Sequence, residues 1–514
     1  MFRTKDAIML EDFSGGLNTK AGPLQLEVNE TPSCINVITN VFKTLRRRDG
    51  QLNINSTALS ELSGNGLYDF AVNSATDKLI GAFGTKIFYM DNLDGTWNQI
   101  KTGMTSSIYQ FDNFVDNTGT SHMIAVNSAN DTPQQWNGVA ATTSDISAMP
   151  KGTAVKIYRS FAFTTGMTAT PSRIQFSDLA DFTTWPPQNY YDEVTPDGDG
   201  GEGYSELQGI LYWFKHKSIF RVSYTGSAPL FTRRQVTNIG TIAMRTVKNV
   251  VTPDKGELLI FLGPDGGLYE FDGSTAIPIS IKIEEDNGIA PVSLGTIVKN
   301  KNILKNAWAI NDEIRHWYIL VFTNNDSVDS TNNAGIVWDY YANSFWPFSN
   351  MDFLSGTMMT NNSGQKIPVG AGYDGKAYFL ENGNNDSGNN ISSYWTSRRL
   401  DTSSYVTLKK SYQLWATLKT VGNFTISSQY RTNWNNSFVS TEPLPESSGE
   451  FFLGSTFILG TATLGGNEAL TRIFDIPRVQ NLIQFKISDN SQNPRWNLYR
   501  LDMPETALGI ASST

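Results

Sequence analysis

The run Leu258-Leu259-Ile260-Phe261-Leu262, the turn Pro264-Asp265-Gly266-Gly267 and the return run Leu268-Tyr269-Glu270-Phe271-Asp272-Gly273 decide the fold class. Large apolar residues enter a turn, and a second β-prone run leaves it. Asp-Gly between two such runs is a strong hairpin signal, because the tight turn needs left-handed backbone at both central positions. The pattern recurs upstream at Leu79-Ile80-Gly81-Ala82-Phe83-Gly84-Thr85-Lys86-Ile87-Phe88-Tyr89-Met90. It recurs downstream at Val369-Gly370-Ala371-Gly372-Tyr373-Asp374-Gly375-Lys376-Ala377-Tyr378-Phe379-Leu380.

Outward from these hairpins, candidate units fall near residues 66–100, 107–147, 154–190, 205–236, 246–282, 304–349 and 351–382. Their spacing of roughly 40–50 residues is that of propeller blades. The expectation is an all-β chain: a β-propeller of about six or seven blades, an N-terminal extended arm and a C-terminal β-sandwich-like domain. A pair of stacked β-sandwiches is the structural alternative. The boundaries read as an arm over 1–55, a propeller over 56–385 and a platform domain over 386–514. The polar, Gly-rich stretch 383–391 serves as linker. Within the last domain, 451–466 carries no charge and reads as a hairpin or a Gly/Thr-rich loop. In the arm, Pro32 suits a first helical position, and one short helical turn is expected after it.

Composition agrees. Aromatics make up 12% and charged residues only 17% of 514 residues, a profile that favours short strands over helices and argues against disorder. No run of 18 apolar residues suggests a membrane-spanning helix, and the first residues lack a signal-peptide core. A single cysteine, Cys34, leaves no intrachain disulfide framework and no cysteine-based zinc site. Synthesis in a reducing cytosol is expected.

Catalytic motifs are missing. His122, His216 and His316 are about a hundred residues apart, with no paired-histidine spacing and no GxSxG elbow. No phosphate-binding glycine loop occurs; Gly198-Asp199-Gly200-Gly201-Glu202-Gly203 is glycine-rich but acidic. The acidic run Asp192, Glu193, Asp197, Asp199 and Glu202 has the oxygen ligands calcium requires but not EF-hand spacing, and reads better as a solvated loop. Asp94-Gly95-Thr96-Trp97 and Ser177 to Trp185 fail the Asp-box spacing of propeller sialidases. We expect no catalytic residues, no cofactor and no metal. The one basic run, Arg46-Arg47-Arg48, is a candidate inter-subunit contact, because arginine's planar fork suits carboxylates at interfaces.

The arm carries an ordered series: Phe13-Ser14-Gly15-Gly16-Leu17-Asn18-Thr19, a Pro turn, Asn29-Glu30, Asn36-Val37, then Leu45-Arg46-Arg47-Arg48-Asp49-Gly50. It resembles the opening of the tail nozzle (tail tubular protein B-like) family of short-tailed bacteriophages, with Asp49 where that family usually has proline. Val155 to Phe163, Pro171 to Ser177, Asp181 to Trp185, Leu211 to Phe220, Ile239-Gly240 and Pro264 to Tyr269 are similar to its blade segments.

The resemblance implies a structural virion tail protein, made in the host cytoplasm. It would form a homo-oligomeric, hexameric ring at the distal DNA-exit channel and guide genome ejection. Portal-adaptor proteins and tail fibres or spikes would be its partners, with transient, non-specific passage of double-stranded DNA and no membrane insertion. A basic lumen would grip the duplex and an acidic one would let it slide. The formal net charge of −9 fits the second case. Candidate lumen carboxylates are Asp192, Glu193, Asp197, Asp199, Glu202, Glu284, Glu285 and Asp286. The alternative is a carbohydrate-binding host-recognition tail protein or, failing that, a propeller glycoside hydrolase.

Overall fold

The computed structural model describes all residues except 1–5, 74–75, 196–197, 284–300, 324–329, 362, 402–405, 422, 442–443, 448–469, 492–494 and 511–514. Contacts divide the chain into two units. One holds 53–335 and 350–380; the other holds 1–52, 336–349 and 381–514.

Seven four-stranded sheets follow one another along the chain, as the seven candidate units anticipated. Their first strands are Gly64–Asn73, Gln110–Val115, Ala154–Tyr158, Gly201–Leu207, Lys248–Thr252, Trp308–Asp312 and Phe353–Thr360. Neighbouring first strands touch around a circle, except that the fourth meets the fifth blade through Gly256–Leu262 and the Met244–Thr246 turn, and the seventh touches the first. This is a seven-bladed β-propeller.

The Asp-Gly hairpins form, but with left-handed backbone at the glycine alone and not at Asp265 or Asp374. Gly266 has φ +86° and Gly263 N–H donates to the Gly267 carbonyl across the turn, in register with the Leu262–Leu268 pair. The middle strands lack alternation because both faces are covered by neighbouring blades. Trp317–Phe322 is buried at every position.

Aromatic side chains fill the wedges between blades. Phe161, Phe163 and Phe176 of the third blade pack on Trp213, Phe220 and Phe231 of the fourth. Phe70 and Ile80 of the first meet Met123 and Trp136 of the second. Rings dominate because each buries roughly 150–250 Å² in a fixed shape, and edge-to-face pairs add to that gain. The Phe163–Phe231 pair is of this kind, with centroids 5.0 Å apart.

Closure uses residues from before the first blade. The seventh sheet takes Leu52–Asn53 as its fourth strand. Ile54 N–H donates to the Ala377 carbonyl at 2.8 Å. Buried Asn55 accepts from Ala377 N–H at 2.8 Å and donates to the carbonyls of Thr57 and Gly375 at 2.8 and 3.2 Å. Leu67, Leu79 and Phe83 of the first blade then pack on Met359, Val369 and Ala371 of the seventh.

The second unit holds two six-stranded sheets, and the arm contributes to both. Val37–Thr39 and Leu45–Arg47 extend a sheet built from Thr407–Val421, Leu470–Gln480 and Arg495–Ile510, on which Asp6–Leu10 also pairs. Ser33–Ile35 extends the sheet of Ser393–Thr396, Asn423–Thr432 and Ile483–Asp489. The helical turn expected after Pro32 is therefore a strand, because Cys34 pairs with Trp395 and the long-range ladder overrides local preference. Leu414, Ala416 and Leu418 are buried while Trp415 is exposed, the alternation of a sheet with one covered face. The uncharged segment 451–466 lies outside the described residues.

Asn55→Ala should strand one buried donor and one buried acceptor at the closure. We expect a loss of about 2–3 kcal/mol, read as a lower urea midpoint with the fold retained.

Candidate functional site in the propeller cavity

The seven first strands, with Tyr109 and residues 244–247, line a half-open cavity of about 340 Å³. Every blade lines it. Gly66, Leu67 and Tyr68 come from the first, Tyr109 to Asp112 from before and within the second, and Val155 and Lys156 from the third. Tyr204 and Ser205 come from the fourth, Arg245 and Lys248 from the fifth, Trp308 from the sixth and Ser355 to Thr357 from the seventh. One wall is aromatic: Phe111 lies between Tyr68 and Tyr109, with centroids 5.6 and 5.8 Å away and near-parallel planes.

The charges in this lining are unbalanced. Three cations, Lys156, Arg245 and Lys248, face one carboxylate, Asp112. Asp112 is already engaged, accepting from Ile157 N–H at 2.6 Å with Lys156 Nζ 3.2 Å away. Arg245 sits in a single 3₁₀ turn, Met244–Thr246, and donates from Nη2 to the Asn306 carbonyl at 2.9 Å. Its Nε and Nη1 are buried without an acceptor among the described residues. Burial lowers the Arg245 guanidinium to about 10. Burial, then repulsion from Arg245 and Lys156, brings Lys248 down to about 8.

Asp69, next to Tyr68 on the first strand, is pushed up to about 6, mainly by burial. Its Oδ2 accepts two bonds from Thr360, which partly offset the rise, while Oδ1 has no described partner.

Four of the acidic residues singled out in the sequence are described; they do not line the cavity, and they are paired. Asp192 accepts two bonds from Arg173, at 2.7 and 2.8 Å. Glu193 accepts from Arg233 at 2.6 Å. Asp199 is buried; it accepts from Lys217 N–H and Ser218 Oγ, with Lys215 Nζ 3.9 Å away. Glu202 pairs with His216, whose pKa is raised chiefly by that bond. Each of these four carboxylates therefore has a basic neighbour that lies outside the stretch in sequence. Asp197, Glu284, Glu285 and Asp286 lie outside the described residues.

The three arginines also serve this chain internally. Arg48 is buried and uses all five N–H groups. Two go to the Asp386 carboxylate at 2.9 and 2.6 Å, one to Asn36 Oδ1, and two to the carbonyls of Asp49 and Ser349. Arg47 reaches Asp489 at 3.0 Å and the carbonyls of Ser491 and Asn384. Arg46, half-buried, contacts Asp49 at 3.1 Å. Read from the sequence as an inter-subunit contact, Arg47 and Arg48 instead lock the arm to segments near residues 386 and 489. The carboxylates they meet are more than 300 positions away, beyond the reach of local pattern.

The histidines stay apart. His122 meets Asp116 at 3.0 Å, His216 meets Glu202, and His316 sits at a hairpin turn with φ +61°. Among the described residues no group of three or more His, Cys, Asp or Glu could hold a metal ion. Sequence reasoning missed Lys156, Arg245 and Lys248, because each blade contributes at most two charged residues to the cavity and no local motif results.

No family model matches this chain. No curated protein matches it either. A solved structure described as "Crystal Structure of Mitotic Checkpoint Complex" is similar at 11% identity and a TM-score of 0.39, covering 64% of this chain and 96% of that one. The propeller assignment rests on the seven sheets themselves.

Two measurements check these assignments. Arg48→Met should cost about 3–5 kcal/mol by leaving buried Asp386 uncompensated, and adding Asp386→Leu should recover part of it; urea titrations of the double-mutant cycle give the coupling. Asp69 has a folded pKa above its unfolded value of about 4, so ionisation disfavours the fold. Its contribution is complete below pH 4 and is lost as pH rises towards 6. The stability gap between Asp69→Asn and wild type should therefore shift in the variant's favour across that window.

Proposed function

We propose that the chain is a structural subunit of a virion tail, a nozzle-like ring component that forms the distal DNA-exit channel and guides genome ejection. The observation that carries this reading is the tip of the arm hairpin. Val41 and Phe42 are 87% and 80% exposed. The turn bearing them is nonetheless firmly built. Asn40 Oδ1 accepts from Phe42 N–H and Thr44 N–H, and Lys43 Nζ meets Asp12 at 2.6 Å. Phe13 N–H donates to the Lys43 carbonyl. A hydrogen-bonded turn that presents two adjacent apolar side chains to water offers a small apolar knob for a partner's surface to cover.

A ring supplies that partner through a heterologous contact whose rotation closes, the tip of one copy entering the surface of the next. The ordered arm motifs agree with this, as does the net charge of −9 for a wall along which DNA slides. Of the candidate lumen carboxylates, Asp192, Glu193, Asp199 and Glu202 have basic partners within the chain, which weakens the repulsion they would offer. In this reading the ring is a hexamer in the tail, with portal-adaptor proteins and fibres or spikes as neighbours.

Light scattering and negative-stain imaging, with the protein alone and with tail proteins, should show a six-fold ring. Phe42→Asp should lose the ring while keeping the wild-type urea midpoint. A chain that stays monomeric or trimeric under both conditions overturns the proposal and directs attention to carbohydrate recognition.

A further inference from the structure

We propose that the propeller's central cavity is a binding site for a small organic anion, whose carboxylate or phosphate is held by Lys248 and Arg245 and whose body lies against Tyr68, Phe111 and Trp308. This is independent of the ring reading. Three observations support it.

The first is charge. The lining carries Lys156, Arg245 and Lys248 against Asp112 alone, and Asp112 is occupied by Lys156 and the Ile157 amide. Two cations remain without a counter-charge in the lining. The second is unused donor capacity. Arg245 keeps Nε and Nη1 buried with no acceptor among the described residues, and the Lys248 ammonium makes no hydrogen bond or ion pair there. A guanidinium cannot shed its proton, so a buried one is stable only when acceptors reach it. A carboxylate or phosphate presents two oxygens to such a fork and a third contact to an ammonium. The third is the size and lining of the cavity. About 340 Å³ bounded by seven strands suits a metabolite-sized ligand, and the stacked Tyr68, Phe111 and Tyr109 rings offer a flat wall to a ring or apolar body.

The like-charge strain points the same way. Lys248 is already depressed to about 8 by burial and its cationic neighbours. An anion would reverse that pressure, whereas a cation or a neutral sugar would not.

The test is thermal unfolding and calorimetry of the full chain at pH 7 with inorganic phosphate and with glucuronate, each against sodium chloride at equal ionic strength. A saturable rise in melting temperature of roughly 2–4 °C with at least one anion is expected. Phosphate alone assigns a phosphate group, glucuronate alone a carboxylate. Lys248→Met should abolish the rise and melt above the wild type when no anion is present, because it removes an uncompensated charge. Lys248→Gln is read alongside it in case the methionine variant does not fold. No saturable shift over chloride with either anion, or an equal shift in the Lys248 variants, overturns the proposal.

Discussion

A circle of sheets has two ends that must be joined, and everything in the propeller depends on that joint. The blades pack only on their neighbours, so an open circle would expose one whole apolar face of the first blade and one of the seventh. The chain solves this by giving the seventh sheet a strand from ahead of the first. Backbone pairing at Ile54 and the three side-chain bonds of Asn55 hold that strand. Leu67, Phe83, Met359 and Val369 are then covered like any other wedge. Ring closure covers these two faces, while the outer strand of each blade stays a short edge.

The second unit is tied together by a comparable long-range device. Asn36, in left-handed backbone at φ +53°, bonds Ser349, the Ser392 carbonyl and Arg48, and Arg48 in turn chelates Asp386. The ordered residues of the arm thus have a physical reason to sit where they do. They place one amide and one guanidinium at the meeting point of three distant segments. A buried ion pair of this kind contributes little net energy but fixes a unique arrangement, since removing either partner leaves a charge in a dry place.

Much of the fold was legible because hairpin chemistry is local. Asp265-Gly266 and Asp374-Gly375 announce their turns in four letters, and the apolar runs beside them announce strands covered on both faces. What could not be read is whatever joins residues far apart. Leu52–Asn53 carries no mark of belonging to a sheet that begins near residue 353. Cys34 gives no sign of its pairing with Trp395. Charges were misread for the same reason. Asp192 and Glu193 look like a solvated acidic run until Arg173 and Arg233 are placed beside them, and Arg47 and Arg48 look like a contact for another subunit until Asp489 and Asp386 are. The cavity was the least legible feature, because its cations come from the third and fifth blades and converge only when the circle shuts.

The joint also fixes an order of events during synthesis. Asn55 is made some 320 residues before Gly375, to which it bonds. At ordinary elongation rates of about 5–20 residues per second, that interval is roughly 15–60 s. Throughout it, the first blade waits on the ribosome with an uncovered flank. The hazardous species for this protein is therefore the nascent chain rather than the finished one. A holding chaperone, or a slower ribosome late in the message, would matter more to its yield than any gain in final stability.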